Sequence, residues 1–493
     1  MAQYPVPNST LSFWRTEPHD FDNHRTTVEL PAEVDIVIIG AGYAGASIAY
    51  HLLEKSKESG KNLFWRQEKL VLVPQEEMVS SESGKDLNVM TQVIFPGGHL
   101  KPDPYYRAAG EITRKTLPQV FILTICKGAL RKHGRDAAEE VSSFEQRHVK
   151  AIKELVEKEN IECDFVVTRA TDVCLYEDIR KELKSGLEAL TAAKISSAAE
   201  VHYSDGRTAE GISGVKGAKG CFTYTAGHVW PYKLVLSLLS KVVSRGVNLQ
   251  THTPVKSVNS TNDQRRRWSV ETDRGSVKAS KVIYATNAYT STLLPGFKKK
   301  IIPVRGICSR IVPTKAHAPF LSNSYILRLS PMEYDYLIPR SDGSIVVGGA
   351  RRDYFRDLDQ WYDNIDDSKL IEPAKNYFDG YMQRHFRGWE DSGAYTDKVW
   401  TGIMGYSSDG FPFVGDVPGK PGAYVCAGFS GHGMPQIFLS GKAIAEMVLD
   451  DKKAEEVDLP RLYRASQARL DAKGEVTLDA WRAMAGNSMQ AKL

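Results

Sequence analysis

VDIVIIGAGYAG, running from Val34 to Gly45, is the stretch that decides the fold. The apolar run Val34–Ile39 reads as a strand buried on both faces. It passes directly into Gly40-Ala41-Gly42-Tyr43-Ala44-Gly45. In such a turn Gly40 permits the tight reversal, Gly42 lets backbone approach a phosphate, and Gly45 lets the next helix pack on the strand. A helix predicted over about Ala44–Lys55 aims free N–H groups and its positive dipole end at the anion. A G-x-G-x-x-G between such a strand and such a helix is a dinucleotide pyrophosphate cradle. Far along the chain Gly428-Phe429-Ser430-Gly431-His432-Gly433-Met434 forms a second glycine-rich turn, opening a helix predicted to reach about Leu449.

At 493 residues the chain has room for two or more domains. A net charge of +4 asks for neither nucleic acid nor a membrane surface. The basic runs Arg265–Arg267 and Lys298–Lys300 are short and read as solvated turns. Six scattered cysteines show no metal or CxxC spacing, which fits a reducing compartment and no metal. Met1–Trp14 lacks the features of a signal peptide, and runs such as Val120–Ile125 are too short to span a bilayer. Ala491-Lys492-Leu493 is a conservative form of the SKL-type peroxisomal address, so a peroxisomal import receptor is an expected partner.

Periodicity predicts a surface helix over Phe144–Glu159 and another over Trp230–Val243, opened by Pro231 and closed at Gly246. Strands are expected at Val247–Gln250, Val255–Val258, Trp268–Glu271 and Lys281–Thr286. Short alternating strands follow at Ile301–Val312, Tyr325–Leu329, Tyr336–Pro339 and Ser344–Gly348, then Trp400–Met404 and Tyr424–Ala427. The expected fold class is α/β, a discontinuous Rossmann-like domain with an inserted antiparallel-sheet substrate domain. The expected boundaries are an N-terminal arm at 1–33 and dinucleotide-domain parts at 34–110, 222–296 and 400–450. Helical and substrate-domain segments occupy 128–221, the antiparallel domain 297–399, and a tail 451–493.

VDIVIIGAGYAG, GGHLKPDPY, KVIYATNAYTSTLLPG, IIPVRG, YLIPRSDGSIVVGG, WTGIMGYSSDGFPFVG and CAGFSGHGM together resemble the D-amino-acid-oxidase-like FAD-dependent oxidoreductases. Within them the resemblance is to a fungal branch near the γ-glutamylputrescine and sarcosine oxidases. It covers about Leu11 to Ala468 and implies FAD on Gly40, Ala41, Gly42, Tyr43, Ala44 and Gly45. It further implies that Val255 meets the adenine through its backbone, while Ala285, Thr286 and Asn287 line the turn beside the ADP half. Gly428 to Met434 would lie at the flavin ring, where N–H groups at a helix start stabilise charge developing on reduction. His432 is either a flavin-edge group or a turn residue bonded to backbone. Arg305, Tyr336 and Arg340 are candidates for holding a substrate carboxylate or shaping its pocket, with ordinary sheet residues as the other reading of Tyr336 and Arg340. Lys101, beside the flavin loop, could act as a cation in oxygen activation.

One segment departs from the family pattern. An acidic residue is expected about twenty residues past the glycines, where it would bind the ribose hydroxyls. Leu63–Val79 instead reads LFWRQEKLVLVPQEEMV, and the match resumes only at Gly97. One codon choice for that segment, read in another frame, translates as VLEAREACSGATGRNG, the motif the family has there. Residues 63–96 are therefore expected to be the family motif out of frame followed by untranslated sequence. A second insertion at about 111–127 is either intron or a lineage-specific loop. As written, the chain lacks the ribose anchor, so weak FAD binding is expected.

The resemblance implies oxidation of a C–N bond of an amine or amino acid to an imine, with dioxygen reoxidising the flavin and releasing peroxide. The alternatives are a flavin enzyme acting on a secondary-metabolite intermediate, or a non-catalytic chain with impaired FAD binding.

Overall fold

The computed structural model describes residues 4–6, 8–17, 19–58, 70–73, 111–113, 127–314, 318–330, 333–479 and 481–482, with backbone alone at 70–73 and 111–113. Lys101, nearly all of the out-of-frame segment, most of the 111–127 insertion and Ala491–Leu493 lie outside these residues.

Two sheets organise the molecule. The first runs, in hydrogen-bonded order, Phe413–Asp416, Ala423–Ala427, Gly275–Tyr284, Glu33–Ile39, Leu70–Val73 and Asn248–Leu249. Its four pairings from Ala423–Ala427 to Asn248–Leu249 are parallel, and the hairpin Val255–Ser260/Trp268–Thr272 extends Gly275–Tyr284 antiparallel. Val37, Ile38 and Ile39 are fully buried, as a parallel strand covered on both faces must be. On one side helices Tyr43–Glu58, Pro231–Ser244 and Met434–Asp450 cover the sheet. The second position beside Glu33–Ile39 is taken by Leu70-Val71-Leu72-Val73, four apolar residues from within the departing segment.

The second sheet runs Tyr395–Ser407, Ile301–Val312, Ile345–Gly348, Tyr334–Pro339, Ser324–Arg328, Val166–Cys174, Gly220–His228 and Glu111–Thr113. It is mixed rather than purely antiparallel, because Ser324–Arg328 runs parallel to Val166–Cys174. The expected boundaries need correction here. Gly220–His228 and Tyr395–Ser407 both pair into this sheet, so 222–228 and 400–407, expected in the dinucleotide domain, lie in the second sheet. The surface helix is also longer than its periodicity implied, spanning Arg135–Glu159 behind the positive-φ Gly134.

The N-terminal segment is packed in place. Phe13 and Trp14 are buried against Trp230, whose indole N–H donates to the Trp14 carbonyl at 2.8 Å. The Thr10 hydroxyl meets that of Thr401, and the Thr10 amide donates to the Asp367 carbonyl.

Asp172 and Arg328 form a wholly buried pair across neighbouring strands, with two N–H···O bonds of 2.8 Å. Such a pair is weak evidence for stability, yet removing one partner strands a charge in the interior. Arg328→Met should lower unfolding stability by about 3–5 kcal/mol, read as a fall in melting temperature. Adding Asp172→Asn should restore part of the loss.

Candidate active site

Gly40 follows the first strand at φ +109°, and a β-carbon there would lie 2.4 Å from the Ala285 carbonyl oxygen. The Ala285 amide in turn donates to the Ile39 carbonyl. Only glycine lets these two strand ends meet so closely. Ala41, Gly42, Tyr43, Ala44 and Gly45 are all buried, and the first helix begins at Tyr43 with no acidic residue in its first turn. The Tyr43 hydroxyl and Ser47 Oγ are buried with no hydrogen-bond partner among the described residues. Val255 starts its strand fully buried, in an apolar cluster with Ile39 and Tyr284. Thr286 is buried, its hydroxyl 2.9 Å from that of Thr290.

Asn287 joins the two glycine turns. It sits at φ +39°, and its Oδ1 accepts from the amides of Gly428 and Phe429 at 3.0 and 3.3 Å. Gly428, Ser430 and Gly431 all have positive φ, which curls the turn tightly. Ser430 fixes it to the second sheet: its amide donates to the Gly405 carbonyl, and its Oγ accepts from the Ser407 amide. Gly433 and Met434 then start the last long helix, which has no side-chain cap and no acidic residue in its first turn. Both helix starts are therefore free of acidic residues, and the last long helix also lacks a side-chain cap, which favours an anion there.

Strand alternation sorts the expected substrate residues. Tyr336 lies opposite Gly348, Gly348 opposite Cys308, and Cys308 opposite Trp400, so these share one face with Met404 and Tyr406. The Tyr336 ring lies over Gly348, its hydroxyl 3.0 Å from Cys308 Sγ. This face meets the second turn: a β-carbon on Gly431 would sit 2.9 Å from the Tyr406 hydroxyl and 3.4 Å from Met404 Sδ.

Arg305 falls on the opposite face, one residue out of phase. Its Nη atoms donate to the carbonyls of Gln360 and Lys369, tying the strand to a loop behind the sheet. Its expected place, catalytic or holding a substrate carboxylate, is corrected to this structural one. Arg340 pairs with Asp164 at 3.0 Å and packs over Trp230, Phe13 and Trp14, so it clamps the N-terminal segment. An open cleft of about 500 Å³ beside Arg340 and Trp389 includes no residue of either glycine turn.

Two residues had no signal in the linear pattern. Arg351 follows the strand Ile345–Gly348 and donates to the Tyr406 hydroxyl at 3.0 Å, with Tyr334 and Phe355 rings packed against its guanidinium. It is aimed there by Asp335, which accepts from the Ala350 amide and from the hydroxyls of Tyr377 and Tyr381. Burial raises the Asp335 carboxyl to about 6. Ala350 adopts φ +55°, and Gly349 has no space for a β-carbon beside Asp335. The corner is thus shaped by a buried acid.

His432 is buried, and its Nε2 lies 3.0 Å from Glu145 Oε2 on the Arg135–Glu159 helix. Burial lowers the imidazole to about 3, so it is neutral at ordinary pH. The His432 amide donates to the Phe429 carbonyl at 2.8 Å, as a turn residue bonded to backbone would, while its side chain turns to Glu145.

These features suit an FAD: a strand-end cradle that excludes a β-carbon, two helix starts free of acidic residues, and a curled turn bridging to the second sheet. Asn287→Ala should loosen the turn and weaken FAD binding by about tenfold, the worth of one or two hydrogen bonds. Gly40→Ala should abolish binding, since the backbone has nowhere to move. Fluorescence titration of the flavin checks both.

The family model for FAD-dependent oxidoreductases of the DAO type matches residues 35–447. The probable oxidoreductase OrdL of Rhizobium meliloti is 25% identical over 235 residues, 47% of this chain and 49% of that protein, so the match spans about half its length. The glycine oxidase of Bacillus licheniformis is 22% identical over 421 residues, 84% of this chain and 93% of that protein. The solved L-proline dehydrogenase from P. horikoshii superposes with a TM-score of 0.60 at 18% identity, covering 86% of this chain and 95% of that one. With the cradle, the bridging turn and the two sheets in place, this chain belongs to the DAO family of FAD-dependent oxidoreductases.

Proposed function

We propose that the protein oxidises the C–N bond of an amino acid or amine to an imine, with dioxygen as electron acceptor and hydrogen peroxide released. Within the family we place it near the γ-glutamylputrescine and sarcosine oxidases, on the motifs quoted above. The observation that carries the reading is the contact of the Gly431 turn with Tyr406, to which Arg351 is hydrogen-bonded.

Bound FAD supplies the acceptor for a hydride leaving the carbon next to nitrogen. Arg351 and the Tyr406 hydroxyl suit a carboxylate, which a guanidinium recognises with charge-assisted hydrogen bonds. The same positive charge disfavours a second cation nearby, which keeps the substrate amine neutral and its lone pair available. Tyr336, Met404 and Tyr406 are buried and keep water from the face. This favours amino acids over simple amines.

Peroxide release should appear with neutral or acidic amino acids and be weak with amines lacking a carboxylate. Arg351→Met should raise KM for the amino acid by about ten- to a hundredfold, the loss of one charged hydrogen bond, with the flavin spectrum unchanged. Equal turnover of amines and amino acids by the parent protein would refute the carboxylate anchor.

A second reading, a chain with impaired FAD binding, is favoured by one observation. The second strand, Leu70–Val73, contains no acidic residue to meet a ribose. If this reading holds, titrated FAD binds the chain far more weakly than a variant carrying VLEAREACSGATGRNG in place of residues 63–96. Equal affinities would remove it, and sequencing the mature transcript would show which form is made.

A further inference from the structure

Beneath the second glycine turn lies a buried acid that the oxidation itself does not use. Glu145 is buried on the Arg135–Glu159 helix. Oε1 accepts from Gln436 Nε2 at 2.7 Å and from the Tyr463 hydroxyl at 2.9 Å, while Oε2 meets His432 Nε2 at 3.0 Å. The three partners come from the turn, the last long helix and the segment after it. One carboxyl therefore ties the turn to three separate pieces of chain.

The other titratable groups around it are accounted for. On its own helix, His148 donates from Nδ1 to the Phe144 carbonyl and accepts the Leu439 amide at Nε2, and burial lowers it to about 3. Arg147 turns outward to Asp458, and Glu140 pairs with Arg461 at the surface. Among the described residues, then, no full positive charge is hydrogen-bonded to Glu145. Burial raises its carboxyl to about 7, within reach of ordinary pH, while His432 stays neutral.

The Glu145–His432 bond can be made in two ways. A protonated Glu145 donates to Nε2, which puts the imidazole proton on Nδ1. An ionised Glu145 accepts from Nε2–H and leaves Nδ1 bare. We propose that Glu145 is a positioning residue for the cofactor: it fixes the Gly428–Gly433 turn and selects which nitrogen of His432 carries the proton. The proposal rests on the flavin assignment and is independent of the substrate's identity. An ionised Glu145 adds a buried negative charge behind a turn that receives an anionic cofactor, so FAD binding weakens as the acid loses its proton.

The sign of the pH effect follows from the raised value. A carboxyl whose folded pKa is raised contributes stability below its unfolded value and loses it as pH rises through about 7. Glu145→Gln removes the titration while keeping an oxygen for one donor, and the Gln436 amide can turn to serve the new N–H.

The test uses the full chain with ¹⁵N-histidine labelling, parent and Glu145→Gln, at about pH 6 and about pH 8.5, which bracket the raised carboxyl. In the flavin-free parent the His432 Nδ1 and Nε2 signals should exchange character between the two pH values, and in Glu145→Gln they should not. FAD should bind the parent about tenfold more weakly at the higher pH, and Glu145→Gln with little change, as one pK unit of coupling implies. A parent whose His432 signals keep one tautomer, or a Gln variant that switches as the parent does, overturns the proposal. So does an identical pH dependence of FAD affinity in the two proteins. Failure of both proteins to bind FAD would count against the flavin assignment, and the nitrogen signals would still decide the part played by Glu145.

Discussion

The carbonyl of Ala285 stands where any residue but glycine at position 40 would place a β-carbon, and the site is laid out from that close approach. It sets two parallel strand ends side by side, with the first helix starting just beyond one and Asn287 just beyond the other. Asn287 then grips the amides of Gly428 and Phe429, so the second turn inherits its position from the first. Ser430 carries the same constraint across to the second sheet. A cofactor lying over this edge would meet backbone whose placement is fixed through a short series of contacts, with few side chains free to adjust.

Buried carboxyls do the complementary work away from the glycines. Asp335 shapes the corner that launches Arg351, Asp172 neutralises Arg328, and Glu145 braces the second turn. Burying an acid is costly unless its oxygens are satisfied. Each of these has at least two donors, and the two without a cationic partner are pushed toward holding a proton. The second sheet is thus specified by polar contacts that tolerate few alternative packings.

Much of this was legible in the chain, and the limits are physical. Ile301–Val312 appears as a strand with the bounds its alternation gave, and the glycine turns open helices where their patterns placed them. Val166–Cys174 and Gly220–His228 carry no clean alternation, because Thr, Arg and Asp sit among their apolar residues, so the sequence pattern shows only part of the second sheet. Arg305 was put at the site by its neighbours in sequence, yet a strand turns successive side chains to opposite faces. Arg351 went unseen because its position depends on a left-handed corner held by a carboxyl fifteen residues earlier. Leu70–Val73 shows the opposite case: four apolar residues fill a parallel strand's place whatever frame produced them, since such a slot asks chiefly for β-compatible hydrophobes.

The seating of Thr10, Phe13 and Trp14 bears on how the protein is made. Thr10 bonds to Thr401, 391 residues away, and the first strand pairs with Gly275–Tyr284. During synthesis the opening segment and its adjoining apolar strand must wait, exposed, until most of the polypeptide has left the ribosome. Newly made chains of this protein would then depend on chaperones for a long interval, and their yield would be limited by the rate of elongation as much as by final stability.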